Sequence, residues 1–396
     1  MPQLPDPRDR RAGWDDKTAP LPPLTPVRPA HPVATPPPLP SPYPAPSYAP
    51  GPVPPPRSPW TATRPTRWRR VARVAIPALL LVAIVAGMLA AHRVYDFGTA
   101  ISDQPPLSSQ TGYVSGIGRV NLLVMGYGGG AHDGAYLTDS MMVLSLVPGN
   151  GATTLISVPR DLWVQVPPGS GSYAKLNTAY ADGLANGLNG QPPGKLAAGA
   201  EAAAKVSDVI GEPINYWLTL DFSGFRKLVD TLGGVDIDVP TAFTANYPRN
   251  DDPAIDAGWK TIHFAKGPQH MDGERAIEYA RARYVLDPPS EGSDFARSVR
   301  QQLLIRAILS RARQPSAWPG LSGATDALQG ALYTNFSLAD LALFAQKLDL
   351  SHAARVGLSD QNVLVNSQSS DGQDILQPAN GDWGAVKQYV AQHLKS

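Results

Sequence analysis

Residues 120–158, VNLLVMGYGGGAHDGAYLTDSMMVLSLVPGNGATTLISV, contain the apolar runs that decide the fold class. The run at 120–125 ends at Gly126 and is almost continuously apolar, which is typical of a buried strand. The runs at 141–147 and 153–158 are joined by Pro148-Gly-Asn-Gly151, and this turn predicts a hairpin. The stretch therefore predicts the apolar centre of a sheet.

Helical and extended patterns alternate after this stretch. Gly211 and the pair Gly233-Gly234 end two predicted helices, because glycine readily adopts the conformation that closes a helix. The predicted elements are helices at 196–210, 222–232 and 383–394, a helix starting within 335–340, and strands at 214–220, 235–239 and 355–358. Apolar strands with interleaved helices predict an α/β fold, a three-layer α-β-α sandwich with a mixed central sheet.

The N-terminal segment has a different composition. More than half of the 42 prolines precede Thr66, and the segment has no periodic apolar pattern that could form a core. We expect residues 1–68 to be a disordered, proline-rich tail that serves as a spacer, with a docking role for its proline runs as the alternative.

A single membrane signal follows the tail. Residues 74–91 carry no charge, five arginines occur within 64–73, and only His92 and Arg93 follow directly. This pattern predicts a transmembrane helix at 71–93 in a single-pass protein of the cell membrane, with a cytoplasmic N-terminus. A stalk at 94–115 and an extracellular domain at 116–396 would follow. A cleaved signal peptide is the alternative.

The overall charge excludes one class of partner. The chain of 396 residues has a formal net charge of +1 and no cysteine. A global basic field for nucleic acid is therefore absent, and disulfide or thiolate chemistry is excluded.

Residues 279–302, YARARYVLDPPSEGSDFARSVRQQ, concentrate guanidinium groups. Arg281 and Arg283 are two apart and would share one face of a strand, with Ala280, Ala282 and Tyr284 on the other. Ser293 or Asp294 is expected to cap a helix that carries Asp294, Arg297, Arg300 and Gln301. Such a cluster predicts a site for a polyanion, since guanidinium binds phosphate bidentately. Surface salt bridges are the alternative interpretation.

Further candidates follow the predicted strands. Arg160 comes directly after Pro159, which cannot continue a central strand, so the side chain should lie at the sheet end, where Asp161 could orient it. Lys175 could add another cation. Asp139, Asp133 and His132 are candidate metal ligands, with a turn or helix cap as the alternative role. The glycines at 126–130 lack the helix of a dinucleotide turn and predict a mobile loop beside a ligand.

Seven ordered motifs resemble one family. RVNLLVMGYGGG, LTDS, SVPRD, KLNTAYADG, LVDTLGGVDIDV, HMDGERAIEYARAR and DFARSVRQQ together resemble the LytR-CpsA-Psr family of bacterial envelope proteins, over roughly residues 118–313. The resemblance implies a phosphotransferase that moves a glycopolymer from a polyprenyl-pyrophosphate lipid to peptidoglycan, through a phosphodiester at the C6 hydroxyl of N-acetylmuramic acid. The proline-rich tail resembles that of actinobacterial members, for which arabinogalactan is one candidate polymer.

The resemblance also implies roles for the candidate residues. Arg160, Arg281 and Arg283 would stabilise the transition state, and Lys175, Arg297, Arg300 and Gln301 would bind the diphosphate. Asp139 would bind Mg²⁺, with Mn²⁺ as the alternative ion. Asp161 and Asp294 would orient arginines rather than take protons, because a carboxylate paired with guanidinium is a poor base.

Two departures from the family pattern affect the site. Leu137 replaces an arginine that usually binds phosphate, and Tyr127-Gly128 stands where a second acidic residue is usual, a role we assign to Asp133 as a hypothesis. Two other functions therefore remain open from the sequence alone. One is hydrolysis of the pyrophosphate, and the other is a non-catalytic envelope scaffold that binds the lipid-linked polymer.

Overall fold

The computed structural model describes residue 51 and residues 67–105, 118–317 and 328–395. The predicted disordered tail at 1–68 falls almost entirely outside the described residues, and so do positions 106–115 of the predicted stalk.

The predicted membrane segment lies in a long helix, α1 (Arg67–Ile101). Its span Leu81–Ile101 has a mean hydropathy of 1.3, and among the described residues this is the one helix long and apolar enough to cross a membrane. The helix does not give way to a stalk at residue 94. Phe97 and Ile101 lie one helical turn apart and pack against Leu328 and Leu332, so this apolar pair extends the helix onto the folded domain.

The strands of the domain occur in two groups. Those of the central sheet are β1 (Val120–Tyr127), β2 (Thr138–Val147), β3 (Ala152–Ser157), β6 (Tyr216–Asp221), β12 (Leu332–Thr334) and β13 (Ala354–Gly357). The others are β4 (Trp163–Gln165), β5 (Tyr173–Lys175), β7 (Val235–Val239), β8 (Phe243–Pro248), β9 (Trp259–Phe264), β10 (Gly267–Met271), β11 (Tyr284–Asp287), β14 (Leu364–Gln368) and β15 (Asp374–Pro378). The helices after α1 are α2 (Ala179–Asn186), α3 (Lys195–Ile210), α4 (Phe222–Thr231), α5 (Gly273–Arg281), α6 (Asp294–Ala312), α7 (Leu338–Lys347) and α8 (Trp383–His393).

The central sheet is mixed, as the sequence predicts, with the strand order β12-β6-β1-β2-β3-β13. The hairpin from β2 to β3 is antiparallel, whereas β1 pairs with β6 in parallel. Successive residues of β1 serve opposite faces. Leu123 packs in a cluster with Ala202 of α3, and Leu122 packs in a cluster with Phe344 of α7. The three-layer α-β-α sandwich is therefore confirmed.

A second lobe lies beside the sheet. The predicted strand at 235–239 is present as β7, but it pairs with β10 rather than with the central sheet. Strand β8 pairs with both β9 and β11 in a separate three-stranded sheet. Phe243, Phe264 and Tyr279 form the aromatic centre of the core between these strands and α5. This lobe positions one wall of the site described below.

The strand expected at Arg281 and Arg283 is not formed. Arg281 is the last residue of α5, whose N-cap Asp272 accepts a hydrogen bond from the Arg275 amide. The apolar residues Ala276, Ile277 and Ala280 are buried on one side of that helix, and this helical spacing outweighs the alternation that favoured a strand. Arg283 lies in the short connection before β11. The predicted cap of α6 is confirmed, because Ser293 accepts a hydrogen bond from the Ala296 amide.

Candidate functional site

Asp139 reaches the site because β2 contains an irregularity. In the pairing of β1 with β2, Gly126 lies opposite Ser140 and Tyr127 lies opposite Thr138, so Asp139 has no partner across the ladder. An extra residue of this kind bends a strand and redirects its side chain. A side-chain carbon on Gly126 would lie 2.7 Å from Ser140 Oγ, so a larger residue here would force the Ser140 hydroxyl to move.

Arg160 and Asp161 lie directly after β3 and link two carboxylates. Arg160 Nη1 donates to Asp139 Oδ1 at 2.5 Å, and its Nε lies 3.4 Å from Asp161 Oδ2. Lys175 of β5 completes the chain of charges, with Nζ 3.2 Å from Asp161 Oδ1. The structure thus brings these four predicted residues together, with Asp161 placed to orient both cations.

Arg281 is held by three groups from different elements. Its Nη1 donates to the Tyr247 hydroxyl at 2.9 Å and to the Asp251 carboxylate. The guanidinium also lies over the Phe222 ring, 3.7 Å from the ring centroid. Its Nη2 lies 3.9 Å from Asp139 Oδ2, which connects this arginine to the charges around Arg160.

Asp251 is shared between two guanidinium groups. Arg226 Nη2 donates to Asp251 Oδ2 at 2.6 Å, while Arg281 contacts Oδ1. Burial alone would raise the pKa of Asp251, but Arg281 and Arg226 outweigh burial, and the net shift is downward. The carboxylate is therefore ionised at neutral pH and fixes Arg281 in position.

Arg283, like Arg160, has a buried nitrogen without a hydrogen-bond partner among the described residues. In Arg283 this nitrogen is Nη2. Burial, followed by the charges of Arg297 and Arg160, lowers the pKa of Arg283 to about 10. An anion beside this guanidinium would relieve both effects.

Asp139, Arg281 and Arg283 line one end of a cavity of about 380 Å³. The polar lining comprises Asp139, Ser140, Asn246, Tyr247, Arg281, Arg283, Arg297 and Gln301. The rest is apolar and lies between the sheet, α4, α6 and α7, with lining residues that include Val124, Leu144, Leu220, Leu304, Ile308 and Phe344. Trp259 and Tyr284 line the cavity and are 48% and 60% exposed, so they mark its opening to solvent. The cavity suits a molecule with an anionic head and a hydrocarbon chain.

Arg300 has a different role from the one predicted. It is 2% exposed and lies over the Phe243 ring rather than along the cavity. Its guanidinium donates to the carbonyls of Tyr279, Ala282 and Glu291 and to the Glu291 carboxylate. The expectation that Arg300 binds the diphosphate is therefore corrected, because its three nitrogens bind Tyr279 in α5, Ala282 in the connection that carries Arg283, and Glu291 beyond β11. The side chain of Asp294 lies outside the described part of the structure.

The predicted metal ligands do not gather. The described residues contain no group of three His, Cys, Asp or Glu side chains that could hold a metal ion. Asp133 is exposed, and His132 Nδ1 lies 3.0 Å from the Asp133 carbonyl oxygen. Tyr127 is buried and stacks on Tyr180 with ring centroids 5.3 Å apart. A ring thus occupies the position where the second acid was expected, and the structure gives no support to Asp133 as its replacement.

A single carboxylate remains compatible with one kind of metal site. Mg²⁺ is often bound through one or two carboxylates together with substrate phosphates. Asp139 fits the protein's share of such a site, although its oxygens already face Arg160 and Arg281. Of the glycine loop expected beside a ligand, Gly126 lines the cavity, whereas Gly129 packs beside Asp221.

Several residues of the site were missed from the sequence. Asp251 lies in the loop between β8 and β9, Tyr247 lies on β8 and Arg226 lies on α4. The segment NYPRNDDPAIDAG around Asp251 has several acidic residues and no periodicity that would single one out. The alternation of apolar and polar residues along β8, which places Tyr247 inward, was the one signal available in the sequence.

Comparisons with known proteins identify the family of this chain. The sequence model of the LytR_cpsA_psr family matches residues 93–391. The polyisoprenyl-teichoic acid–peptidoglycan teichoic acid transferase TagU of Bacillus mycoides strain KBAB4 is 28% identical over 271 residues, which cover 66% of this chain and 78% of TagU. The transferase of the same description named TagV, from Bacillus subtilis strain 168, is 33% identical over 175 residues, which cover 44% of this chain and 38% of TagV.

A solved structure extends the comparison to the fold. The crystal structure of B. subtilis TagV superposes with a TM-score of 0.51 at 25% identity, covering 70% of this chain and 98% of that chain. The family match spans most of the domain and every arginine of the cavity. The chain belongs to the LytR_cpsA_psr family.

Proposed function

We propose that the protein transfers a glycopolymer from a polyprenyl-diphosphate lipid to peptidoglycan and forms a phosphodiester bond. The observation that carries this proposal is the position of Arg281, Arg283 and Arg297 at one end of an otherwise apolar cavity. Arg283 has a buried nitrogen without a partner, which a diphosphate oxygen would satisfy. Family membership and the transferase names of the relatives support the same reaction.

Four leucines connect the apolar part of the cavity to α1. Leu218, Leu220, Leu228 and Leu332 line the cavity, and they also belong to the cluster that packs Ile101 of α1. A lipid held in the cavity would therefore have its hydrocarbon chain close to the segment that enters the bilayer. The geometry favours a substrate that is itself anchored in the membrane.

The arginines act by position and charge. The acceptor hydroxyl attacks the phosphorus that carries the glycopolymer, and polyprenyl phosphate leaves. Arg281 and Arg283 face the cavity and would stabilise the charge that builds up on the phosphoryl oxygens. Arg297 and Gln301, on one side of α6, would bind the diphosphate. Asp251 would not take a proton, since the neighbouring guanidinium groups lower its pKa.

We also propose a supporting role for a divalent cation. Asp139 would hold Mg²⁺, or Mn²⁺, together with diphosphate oxygens, and the ion would neutralise part of the phosphate charge. The remaining positive charge comes from the arginines of this chain.

The proposed topology follows the arginine pattern. Arg67, Arg69, Arg70 and Arg73 lie at the N-terminal end of α1, so we place this end in the cytoplasm and the domain outside. In this position the cavity would face the leaflet and the wall polymer on the same side of the membrane.

The test uses the full-length protein in detergent micelles with a polyprenyl-diphosphate glycopolymer and a soluble peptidoglycan strand. We expect a product in which both polymers are joined by a phosphodiester, with polyprenyl phosphate released in equal amount. Release of glycopolymer phosphate without joining would indicate hydrolysis. Donor binding without turnover would indicate a scaffold, and either result would contradict the proposal.

A further inference from the structure

A second pocket adjoins the charged end of the larger cavity described above. It measures about 40 Å³ and is lined by Ser140, Ser157, Ser298 and Ser359, which we call the serine pocket. Asp139, Ser140, Arg297 and Gln301 line both spaces, so they form the wall between them. Arg160 lines the serine pocket alone.

The polar groups of the serine pocket are organised before any ligand arrives. Ser298 Oγ on α6 donates to Ser157 Oγ at the end of β3. Gln302 Nε2 donates to the same Ser157 oxygen at 3.2 Å. Gln302 is 4% exposed, and its Oε1 has no hydrogen-bond partner among the described residues. Gln302 supports Ser157 without lining the pocket, and the serine hydroxyls together with the Gln301 amide that does line it can both donate to and accept from a sugar hydroxyl.

Phe295 supplies an apolar surface at the same place. It lines the serine pocket and is 55% exposed. It lies beside Gly357, where a side-chain carbon would be 3.8 Å from the ring. An exposed ring next to hydroxyl groups presents the combination of apolar face and polar edge that sugars also have.

The geometry of the displacement relates each of the two cavities to one of the two reacting oxygens. In a displacement at phosphorus, the attacking and leaving oxygens lie roughly in line on opposite sides of the phosphorus. If the lipid chain lies in the larger cavity, the leaving polyprenyl phosphate is on that side of the shared wall. The serine pocket, which shares only Asp139, Ser140, Arg297 and Gln301 with that cavity, then offers the attacking hydroxyl an approach from the other side.

We infer that the serine pocket receives the hydroxyl of the acceptor glycan. This inference rests on the proposed function and identifies a subsite for its second substrate. The acceptor oxygen forms a bond to the phosphorus that carries the glycopolymer, and the bridging P–O bond to polyprenyl phosphate breaks. The electron pair of that bond leaves with polyprenyl phosphate, which also accepts the hydroxyl proton or passes it to solvent. A volume of about 40 Å³ has room for a small group such as a hydroxymethyl, since about 10–15 Å³ of cavity already holds one water molecule.

The experiment separates acceptor binding from donor binding. Full-length wild type, Ser298→Met and Phe295→Ala are assayed with the lipid-linked donor at saturation and with increasing soluble peptidoglycan strand. Ser298→Met fills the pocket, and Phe295→Ala removes an exposed ring with little risk to folding. Val365→Ala on β14, where the side chain is 43% exposed, is the matched control.

We expect both pocket variants to raise the KM for the acceptor about tenfold, the effect of losing one good contact. The dissociation constant for the donor and the thermal midpoint should stay within twofold and a few degrees of wild type, and the control should match wild type throughout. An unchanged acceptor KM in Phe295→Ala and Ser298→Met, with wild-type transfer intact, would overturn this inference alone. If wild type itself transfers nothing, the proposed function fails and this inference fails with it.

Discussion

Replacing Arg283 with methionine should stabilise the unliganded protein and greatly reduce its turnover. The guanidinium is largely buried, and its Nη2 has no partner among the described residues. The charged guanidinium therefore lowers the stability of the unliganded domain and becomes favourable only when an anion is bound. A neutral side chain about as long as the aliphatic part of arginine removes the unfavourable charge and keeps most of the packing of that part.

The magnitude follows from the pKa. Burial, then Arg297 and Arg160, lowers the pKa of Arg283 from 12.5 to about 10. At 1.36 kcal/mol per unit this shift corresponds to about 3 kcal/mol against the charged form. The cost is fully present at neutral pH, since the group is protonated in both the folded and the unfolded chain, and it declines only as pH rises above about 10. Allowing for lost packing, we expect a gain of about 1–2 kcal/mol, or a Tm higher by about 3–6 °C.

The assay is thermal unfolding of full-length protein with and without inorganic pyrophosphate, paired with the transfer reaction. Pyrophosphate should raise the Tm of wild type by mass action and raise that of Arg283→Met much less. Turnover should fall by about 10²–10³, the usual effect of removing one preorganised donor. Arg306→Met on the exposed side of α6 is the control and should change neither property. A lower Tm combined with full turnover would refute the reasoning for Arg283.

Three further predictions concern the carboxylates of Asp251, Glu201 and Asp139. In steady-state kinetics, Asp251→Asn should lower kcat about 10- to 100-fold with a smaller change in KM, because Arg281 loses the charge that positions it. Asp251→Glu, which keeps the charge, should restore part of the rate. Thermal unfolding should show that Glu201→Gln stabilises the protein at pH 8 and not at pH 4.5. Burial and then Asp182 raise the pKa of Glu201 to about 8, so the stability of wild type falls as pH rises from about 4.5 to 8. Asp139→Asn should remove most of the effect of Mg²⁺ on donor affinity measured by calorimetry, whereas wild type should bind donor more tightly with Mg²⁺ than with chelator.

Each of these has a clear opposite result. Equal kcat in wild type and Asp251→Asn would remove the positioning role of Asp251. A wild-type Tm that rises between pH 5 and 8, and rises equally in Glu201→Gln, would show that Glu201 does not govern this pH range. A Mg²⁺ effect that survives in Asp139→Asn would place the ion elsewhere.

Much of the fold could be predicted because it depends on local pattern. The apolar runs of β1, β2 and β3, the turn at Pro148 and the glycines that end α3 and α4 are each decided by neighbouring residues. The same holds for the cap of α6 at Ser293. These elements are sufficient to predict the layered architecture.

The geometry of the site depends on contacts between distant parts of the chain. The irregular pairing that redirects Asp139 is a property of two strands in register, and no pattern within β2 alone reveals it. The charge of Asp251 is meaningful only beside Arg281 and Arg226, which are 30 and 25 positions away. The arginine motif indicated a shared polyanion site, yet it could not show that Arg300 faces the protein interior while Arg283 faces the cavity.

The most direct test of the central claim is a crystal structure of the full-length protein with a short-chain isoprenyl diphosphate bound. We predict diphosphate density in contact with Arg281, Arg283 and Arg297, with the isoprenyl chain extending along Leu220 and Leu304 inside the cavity. Density for the diphosphate away from these three arginines, with the apolar cavity unoccupied, would contradict it.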